Sequence, residues 1–148
     1  MTERRLRTSR SRDDPLTDGG FEGAGTLVGL ATRDGVLLAA DTRTSQDTVV
    51  RSERVRKLAQ VHPTAAMGST DHLGAVQSFV RTVRIEADRY ETERGEPMTL
   101  SALAATAAEE LRSESAAGTF VLGGVDDDGS HLFELSRDGG LLEDDSVV

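Results

Sequence analysis

Short apolar runs separated by turn residues dominate the first half of the chain and predict β-strands. Residues 26–32 are rich in β-forming residues. They are followed by Asp34-Gly35, a dipeptide that strongly indicates a hairpin turn. Residues 36–40 then form a near-continuous apolar run, so we expect this returning strand to be buried on both faces. Further strands are expected at 48–50, 55–61 and 64–67, the first two as a pair.

Two helices are predicted to follow these strands. The first can be capped by Ser69 or Thr70 and is expected to end at Gly95 and Pro97. Its apolar positions recur at helical spacing and are Leu73, Val76, Val80, Val83, Ala87 and Tyr90. The second helix, over about 99–113, has a narrow, alanine-rich apolar stripe, which allows close approach to a neighbouring element.

The last part of the chain returns to a strand pattern. Residues 119–125 and 131–135 predict two strands joined by a turn at 126–129, and a turn at 138–140 leads into a short third strand. Strands, then two helices, then strands predict an α+β layered domain with sheet packed on sheet and helices outside. The chain stops at Val148 in a strand-like run, so the domain is expected to be incomplete at its C-terminus.

The beginning of the chain lacks this apolar periodicity. Five arginines stand against one glutamate in residues 1–12, and the tract cannot bury enough surface to offset the entropy of ordering. A solvated tail, or a segment removed on maturation, is favoured over contact of this basic tract with RNA or a membrane surface. We expect a disordered, propeptide-like leader over 1–24 and a domain over 25–148.

Composition narrows the classes of function. The absence of cysteine excludes disulfide scaffolds, zinc ribbons and thiol catalysis. No long apolar run or signal peptide is present, so we expect a cytoplasmic protein without a membrane role. With 26 acidic against 17 basic side chains the net charge is -9, which suits a salt-adapted, halophilic cytoplasm and argues against nucleic-acid binding by the folded part. An ordinary acidic composition is the alternative.

Most polar motifs have structural explanations. The cluster Asp126-Asp127-Asp128-Gly129 lacks the downstream glutamate and helical flanks of a calcium loop and is explained by a hairpin turn. The three histidines, His62, His72 and His131, have no mutual metal-ligand spacing. Lys57 is the only lysine among 17 basic residues. Lysine can exchange a proton where arginine stays charged, so a functional role and chance retention are both open for it.

One constellation carries a resemblance to a known family. It consists of Gly25-Thr26, Val28-Gly29-Leu30, Asp34-Gly35-Val36, Ala39-Ala40-Asp41-Thr42-Arg43 and Lys57. These segments resemble the N-terminal motif of proteasome β subunits, which residues 28–43 follow almost without gaps. Lys57 stands 16 residues after Asp41, as the family's lysine does after its aspartate. Stretches at 94–96, 122–126 and 139–140 also resemble the family, so the resemblance covers residues 25–148.

The resemblance implies the four-layer αββα sandwich of N-terminal-nucleophile hydrolases, C-terminally incomplete here. In that family autocleavage exposes a threonine whose hydroxyl attacks a peptide carbonyl, assisted by its own α-amine. Asp41 and Lys57 match the aspartate and lysine that surround this nucleophile, and Arg43 and Gly68 are expected near the site. No metal or organic cofactor is implied.

The nucleophile is where this chain departs from the family. The family's threonine falls on Gly25, which has no hydroxyl, and Thr26 matches the second position. A slip of one residue along a strand sends a side chain to the opposite face, so Thr26 is a poor replacement. It could serve only if cleavage followed Gly25. Whether the chain is an enzyme therefore stays open.

Three functions follow from these observations. The leading one is a catalytically impaired β-type subunit that assembles with α- and β-type proteasome subunits in the hetero-oligomeric rings of a 20S-like core. The second is an active threonine endopeptidase that cleaves unfolded peptides after removal of residues 1–25. The third is a non-proteasomal acidic binding module or a gene remnant.

Overall fold

Antiparallel strands and two helices make up the part of the chain that the structure describes. This computed structural model describes residues 7–9, 25–42, 44–46, 49–52, 56–69, 73–113 and 119–144. The strands are β1 (Arg7–Ser9), β2 (Leu27–Thr32), β3 (Gly35–Ala40), β4 (Thr44–Gln46), β5 (Val49–Ser52), β6 (Leu58–His62), β7 (Ala65–Ser69), β8 (Phe120–Asp126), β9 (Gly129–Leu135) and β10 (Leu141–Glu143). The helices are α1 (Leu73–Arg94) and α2 (Leu100–Ser113), and neither is long and apolar enough to cross a membrane.

Two sheets face each other across an apolar layer. The hairpin predicted at Asp34-Gly35 joins β2 to β3, and β1 pairs with the other edge of β2. The second sheet has the strand order β10-β9-β8-β7-β6. The residues buried between the sheets are Leu27, Ala31, Val121 and Leu132. Strand β1 comes from the segment predicted as a leader, whose remaining residues up to 24 lie outside the described ones.

Both helices cover the outer face of the five-stranded sheet. The rings of Phe79 on α1 and Phe120 on β8 lie 4.6 Å apart and are fully buried. Thr99 begins α2 as an N-cap, because its hydroxyl accepts the backbone N–H of Ala102 at 3.2 Å. The predicted α+β sandwich is therefore confirmed, with layers in the described residues that run helices, five-stranded sheet, three-stranded sheet.

Strand β3 corrects one prediction about burial. Residues 36–40 were expected to be buried on both faces, but Leu37 is 58% exposed and Ala39 is exposed. Val36, Leu38 and Ala40 face the second sheet instead. The reason is that no helix in the described ranges packs on the outer face of β2 and β3.

One further local prediction, the pairing of two short strands, is wrong. The segments 48–50 and 55–61 were predicted as a pair, but in their described parts β5 pairs with β4 and β6 pairs with β7. Ser69, one of the two expected caps of the first helix, ends β7, and its hydroxyl donates to the carbonyl of Thr119 at 2.8 Å. Thr70, the alternative cap, lies outside the described residues.

Candidate functional site

The β2–β3 hairpin brings Gly25, Thr26 and Asp41 together at one end of the sandwich. Leu27 pairs with Ala40, so the residues before β2 lie beside those after β3. The backbone N–H of Asp41 donates to the carbonyl of Thr26 at 3.1 Å. In return the Asp41 carboxylate accepts the backbone N–H of Thr26 at 3.0 Å. These two hydrogen bonds fix the Asp41 side chain at the start of β2.

Lys57 reaches the same point from the opposite sheet. It precedes β6, and its Nζ donates to Oδ1 of Asp41 at 2.8 Å. The lysine side chain is only 5% exposed, whereas that of Asp41 is 37% exposed. A buried ammonium is costly unless it is paired, so Asp41 is what makes this position of Lys57 tolerable.

Gly68 and Ser69 support Lys57 from the neighbouring strand. Gly68 pairs with Leu58 across β6 and β7, and a Cβ at position 68 would stand 2.9 Å from the carbonyl oxygen of Lys57. The N–H of Ser69 donates to that same carbonyl at 3.3 Å. Any side chain at position 68 would therefore displace the backbone that carries the lysine.

A side chain at position 25 would point directly into this pair. A Cβ built on Gly25 would clash with Nζ of Lys57 and would stand 2.8 Å from Oδ1 of Asp41. The ammonium of Lys57 thus occupies the volume that a larger residue at this position would use. Because Nζ is the far end of a flexible side chain, it could move aside for such a residue.

Thr26 lies in the opposite phase of the strand. Leu27 and Ala31 are buried between the sheets, and Thr26 is exposed. Since successive side chains on a strand point to opposite faces, Gly25 falls on the buried face and Thr26 on the outer one. The hydroxyl of Thr26 is thus on the wrong side of the strand to meet Lys57.

Most of the predicted site residues meet at one end of the sandwich. These are Gly25, Thr26, Asp41, Lys57 and Gly68. Arg43 lies outside the described residues, and so does His72. Within the residues that can be described, no group of His, Cys, Asp and Glu could hold a metal ion.

A second polar cluster surrounds His131, and sequence reasoning missed it. Nδ1 of His131 lies 2.8 Å from Oε1 of Glu143, and Nε2 lies 3.1 Å from Oδ1 of Asp126. Oδ2 of Asp126 also accepts the backbone N–H of Leu100 at 2.7 Å, at the start of α2. The cluster joins β8, β9, β10 and α2. Glu143 reaches it through the register of β10, which no local sequence signal specifies.

The electrostatics of this cluster favour a charged imidazole. Burial alone would lower the pKa of His131, but the hydrogen bond to Glu143 and the charge of Asp126 outweigh it and raise the pKa above its usual value. Burial would likewise raise the pKa of Asp126, but the N–H groups of Leu100 and Asp128 and the His131 ring lower it overall. Only the imidazolium can donate to both carboxylates at once.

Comparisons with known proteins give a consistent result. Residues 21–148 match the family model described as "Proteasome subunit". The chain is 46% identical over 129 residues to a proteasome β subunit of Halorhabdus utahensis, covering 83% of this chain and 53% of that protein. It is 45% identical to proteasome β subunit 2 of Haloarcula marismortui, with 83% and 54% covered. A β subunit of Halobacterium salinarum is 42% identical over 125 residues, with 80% and 50% covered. The chain spans about half the length of these relatives.

Proposed function

Because this chain belongs to the proteasome subunit family as a β-type member, we propose that it joins a 20S-like proteolytic core without supplying a nucleophile of its own. In this function it assembles with α- and β-type subunits in hetero-oligomeric rings. The chain contributes to the structure of the rings, and other subunits cleave the peptides.

The observation that carries the proposal is the residue beside the Lys57–Asp41 pair. That residue is Gly25, whose Cβ position faces Lys57 and Asp41 but whose side chain is a hydrogen atom. A threonine-type mechanism needs a hydroxyl at this place, with a base close by to take its proton. Without that hydroxyl, Lys57 and Asp41 have no nucleophile beside them to activate.

Retention of Asp41 and Lys57 has a structural reason that needs no catalysis. Their contact at 2.8 Å joins the end of the three-stranded sheet to the start of β6 in the other sheet. Loss of either partner would leave a charge behind, and for the buried Lys57 that is expensive. The pair can therefore persist in a subunit that has lost its nucleophile.

A second candidate function, an active threonine endopeptidase, is favoured by one hydrogen bond. The nitrogen of Thr26 lies 3.0 Å from Oδ1 of Asp41. If cleavage followed Gly25, this nitrogen would become a free α-amine next to the carboxylate that also holds Lys57. The threonine would still have to turn its hydroxyl from the exposed face towards Lys57, which requires the end of β2 to shift by one residue.

Covalent labelling separates the two functions. We expect the chain, assembled with α-type subunits from a haloarchaeal relative, to remain unlabelled by a peptide vinyl sulfone, which traps N-terminal threonine hydroxyls. Thr26→Ala should behave identically. Labelling of the wild-type chain that disappears in Thr26→Ala would contradict the impaired subunit and support the peptidase. Elution of the chain apart from the α-type subunits would contradict the assembly role itself.

A matched pair of shortened forms tests the missing hydroxyl directly. Both forms begin at residue 25, one with the natural glycine and the other with Gly25→Thr. We expect only the Gly25→Thr form to react with the vinyl sulfone, because its amine and hydroxyl then lie beside Lys57. Equal, negligible labelling of both forms would show that the defect is larger than one absent hydroxyl.

A further inference from the structure

A hollow of about 210 Å³ lies between the first half of α1 and the start of β6. Val76 and Val80 contribute buried apolar surface to its lining. Arg56, Arg81 and Arg84 bring three guanidinium groups to the same hollow, and its described lining contains no aspartate or glutamate. An apolar floor with a cationic rim is unusual on a chain whose net charge is -9.

The arginines of the hollow differ from the other arginines on the two helices. Arg89 pairs with Glu86 at 2.7 Å, Arg112 pairs with Glu109 at 2.7 Å, and Arg94 lies over the ring of Tyr90 at 4.6 Å. In the parts of the chain that can be described, Arg56, Arg81 and Arg84 form no ion pair with a carboxylate. Among the described residues nothing neutralises their positive charge, which can therefore attract an acidic group of a binding partner.

Arg84 is held in place for such a role. Its Nε donates to the backbone carbonyl of Gln60 at 2.6 Å, which ties the guanidinium to β6. No hydrogen bond within the described residues engages the two terminal nitrogens of the same group, so they can donate to an acceptor. A guanidinium fixed in this way loses less conformational entropy when it binds a ligand.

We propose that this hollow, formed by α1 and β6 around Arg56, Arg81 and Arg84, is a docking site for a glutamate side chain of a protein partner. Guanidinium groups match carboxylates in geometry and bind them through paired hydrogen bonds. The volume of about 210 Å³ suits a single side chain better than a drug-sized molecule, for which sites run from roughly 300 Å³ upwards. The valines favour a carboxylate with methylene groups behind it over a bare inorganic anion.

Docking here would also restrain the candidate site. Lys57 lies between Arg56 and Leu58, all three of which line the hollow. An occupant that fixes Arg56 therefore limits the motion of the segment whose lysine binds Asp41. This inference does not depend on whether the chain carries a working nucleophile.

Binding of a labelled acidic peptide to the full chain tests the proposal. The probe is a short peptide of glutamate and glycine, and the matched peptide has glutamine in place of each glutamate. Fluorescence anisotropy, at the lowest potassium chloride concentration at which circular dichroism shows the chain folded, is expected to show binding of the glutamate peptide only, since charge-assisted pairing is the source of affinity. Arg81→Gln and Arg84→Gln should each weaken it about tenfold. Arg89→Gln, on the same helix but paired with Glu86, should leave it unchanged.

Several outcomes would overturn the proposal. These are no binding of the glutamate peptide, equal binding of the glutamine peptide, or equal loss in Arg89→Gln and Arg84→Gln. Sulfate that binds while the peptide does not would identify the hollow as an inorganic anion site. Circular dichroism of each variant distinguishes a lost contact from a lost fold, and Arg84→Lys, which keeps the charge without the paired geometry, should bind with intermediate affinity.

Discussion

A larger side chain at position 25 would have to share space with the ammonium group of Lys57. In this chain the residue is glycine, and Lys57 fills the volume while it binds Asp41 at 2.8 Å. The pair is asymmetric, because the lysine side chain is 5% exposed and the aspartate 37%. Water can solvate Asp41 alone, but it cannot reach Lys57 to the same extent.

This asymmetry predicts unequal costs for removing each partner. Asp41→Ala leaves a buried, unpaired ammonium and should lower the free energy of unfolding by about 2–3 kcal/mol, below the full cost for a wholly buried pair because Asp41 is partly exposed. Lys57→Met leaves a carboxylate that water can reach and should cost about 1 kcal/mol. Urea unfolding followed by circular dichroism in high salt measures both. A larger loss for Lys57→Met than for Asp41→Ala would contradict this description of the pair.

The meeting of the site residues could be predicted from sequence, but their detailed arrangement could not. The family resemblance placed Asp41 and Lys57 together, and strand periodicity placed Gly25 and Thr26 on opposite faces. Neither the resemblance nor the periodicity indicated that the Lys57 amine would occupy the space beside Gly25. The position of that amine depends on its hydrogen bond to Asp41. The roles of these residues in chemistry remain predictions.

At the scale of elements, strand β8 packs closely against its neighbours where its side chains are smallest. A Cβ at Gly124 would stand 2.5 Å from the backbone carbonyl of Thr64 and 2.8 Å from a methyl group of Leu100. A Cβ at Gly123 would meet only side-chain atoms of Val36, Leu132 and Leu38. Side chains can shift, but the Thr64 carbonyl is held in place because it accepts the backbone N–H of Val125 at 3.0 Å.

Two alanine substitutions test this difference in close approach. Gly124→Ala should destabilise the fold by roughly 2–3 kcal/mol, because the new methyl group overlaps a backbone oxygen. Gly123→Ala should cost about 1 kcal/mol, since flexible side chains can move away. The thermal midpoints of the two variants provide the comparison. Equal midpoints would mean that β8 and β7 are less tightly apposed than the structure indicates.

The cluster around His131 links β8, β9, β10 and α2, and it depends on protonation of the His131 ring. The ring is expected to carry a charge when it donates to both Glu143 on β10 and Asp126 on β8. Other contacts at this point are the stacking of His131 on Phe133 and the N–H groups of Leu100 and Asp128 on Asp126. No other charged group is recorded against the ring within the described residues.

Stability should therefore fall as the pH rises from 6.5 through the raised folded-state pKa of His131. The pKa of His131 is raised in the folded state, so its contribution is complete below the unfolded value of 6.5 and is lost as pH rises through the folded pKa. We expect a loss of roughly 1–3 kcal/mol, the worth of a hydrogen bond to a charged group. Unfolding free energies across this pH range measure it, and His131→Gln should flatten the profile. A profile that keeps its slope in His131→Gln would refute the assignment to His131.

Element boundaries show what periodicity can and cannot predict. The Asp34-Gly35 turn, both helices and the final strands lie where the pattern predicted them. The prediction that 48–50 pairs with 55–61 is wrong. The sequence of short strands separated by a few residues does not specify which neighbouring strand each one pairs with. The exposure of Leu37 could not be foreseen either, since an apolar run does not reveal how many layers cover it.

At the scale of the whole molecule, charge is the dominant feature. The chain carries 26 acidic and 17 basic side chains and a net charge of -9. Like charges repel more strongly in the folded state than in an expanded chain, and salt screens that repulsion. The acidic excess is therefore a cost at low ionic strength.

Salt should raise the stability of this protein. We expect the thermal midpoint to increase by several degrees between low and molar potassium chloride, the equivalent of about 1–2 kcal/mol. Sucrose at matched water activity separates screening of charge from general exclusion effects. A midpoint that is insensitive to potassium chloride, or that rises equally in sucrose, would remove charge repulsion from the explanation.

The state of the N-terminus bears on the proposed function of the whole chain. In the proposed function the chain has no nucleophile at Gly25 with which to remove residues 1–25 by itself, whereas a threonine peptidase must begin at Thr26. The intact mass of the chain should be measured after co-expression with an α-type subunit and purification in high salt. We predict the mass of the uncleaved chain, found within a large complex. A mass that begins at Thr26 would contradict the proposal and assign this protein a working active site.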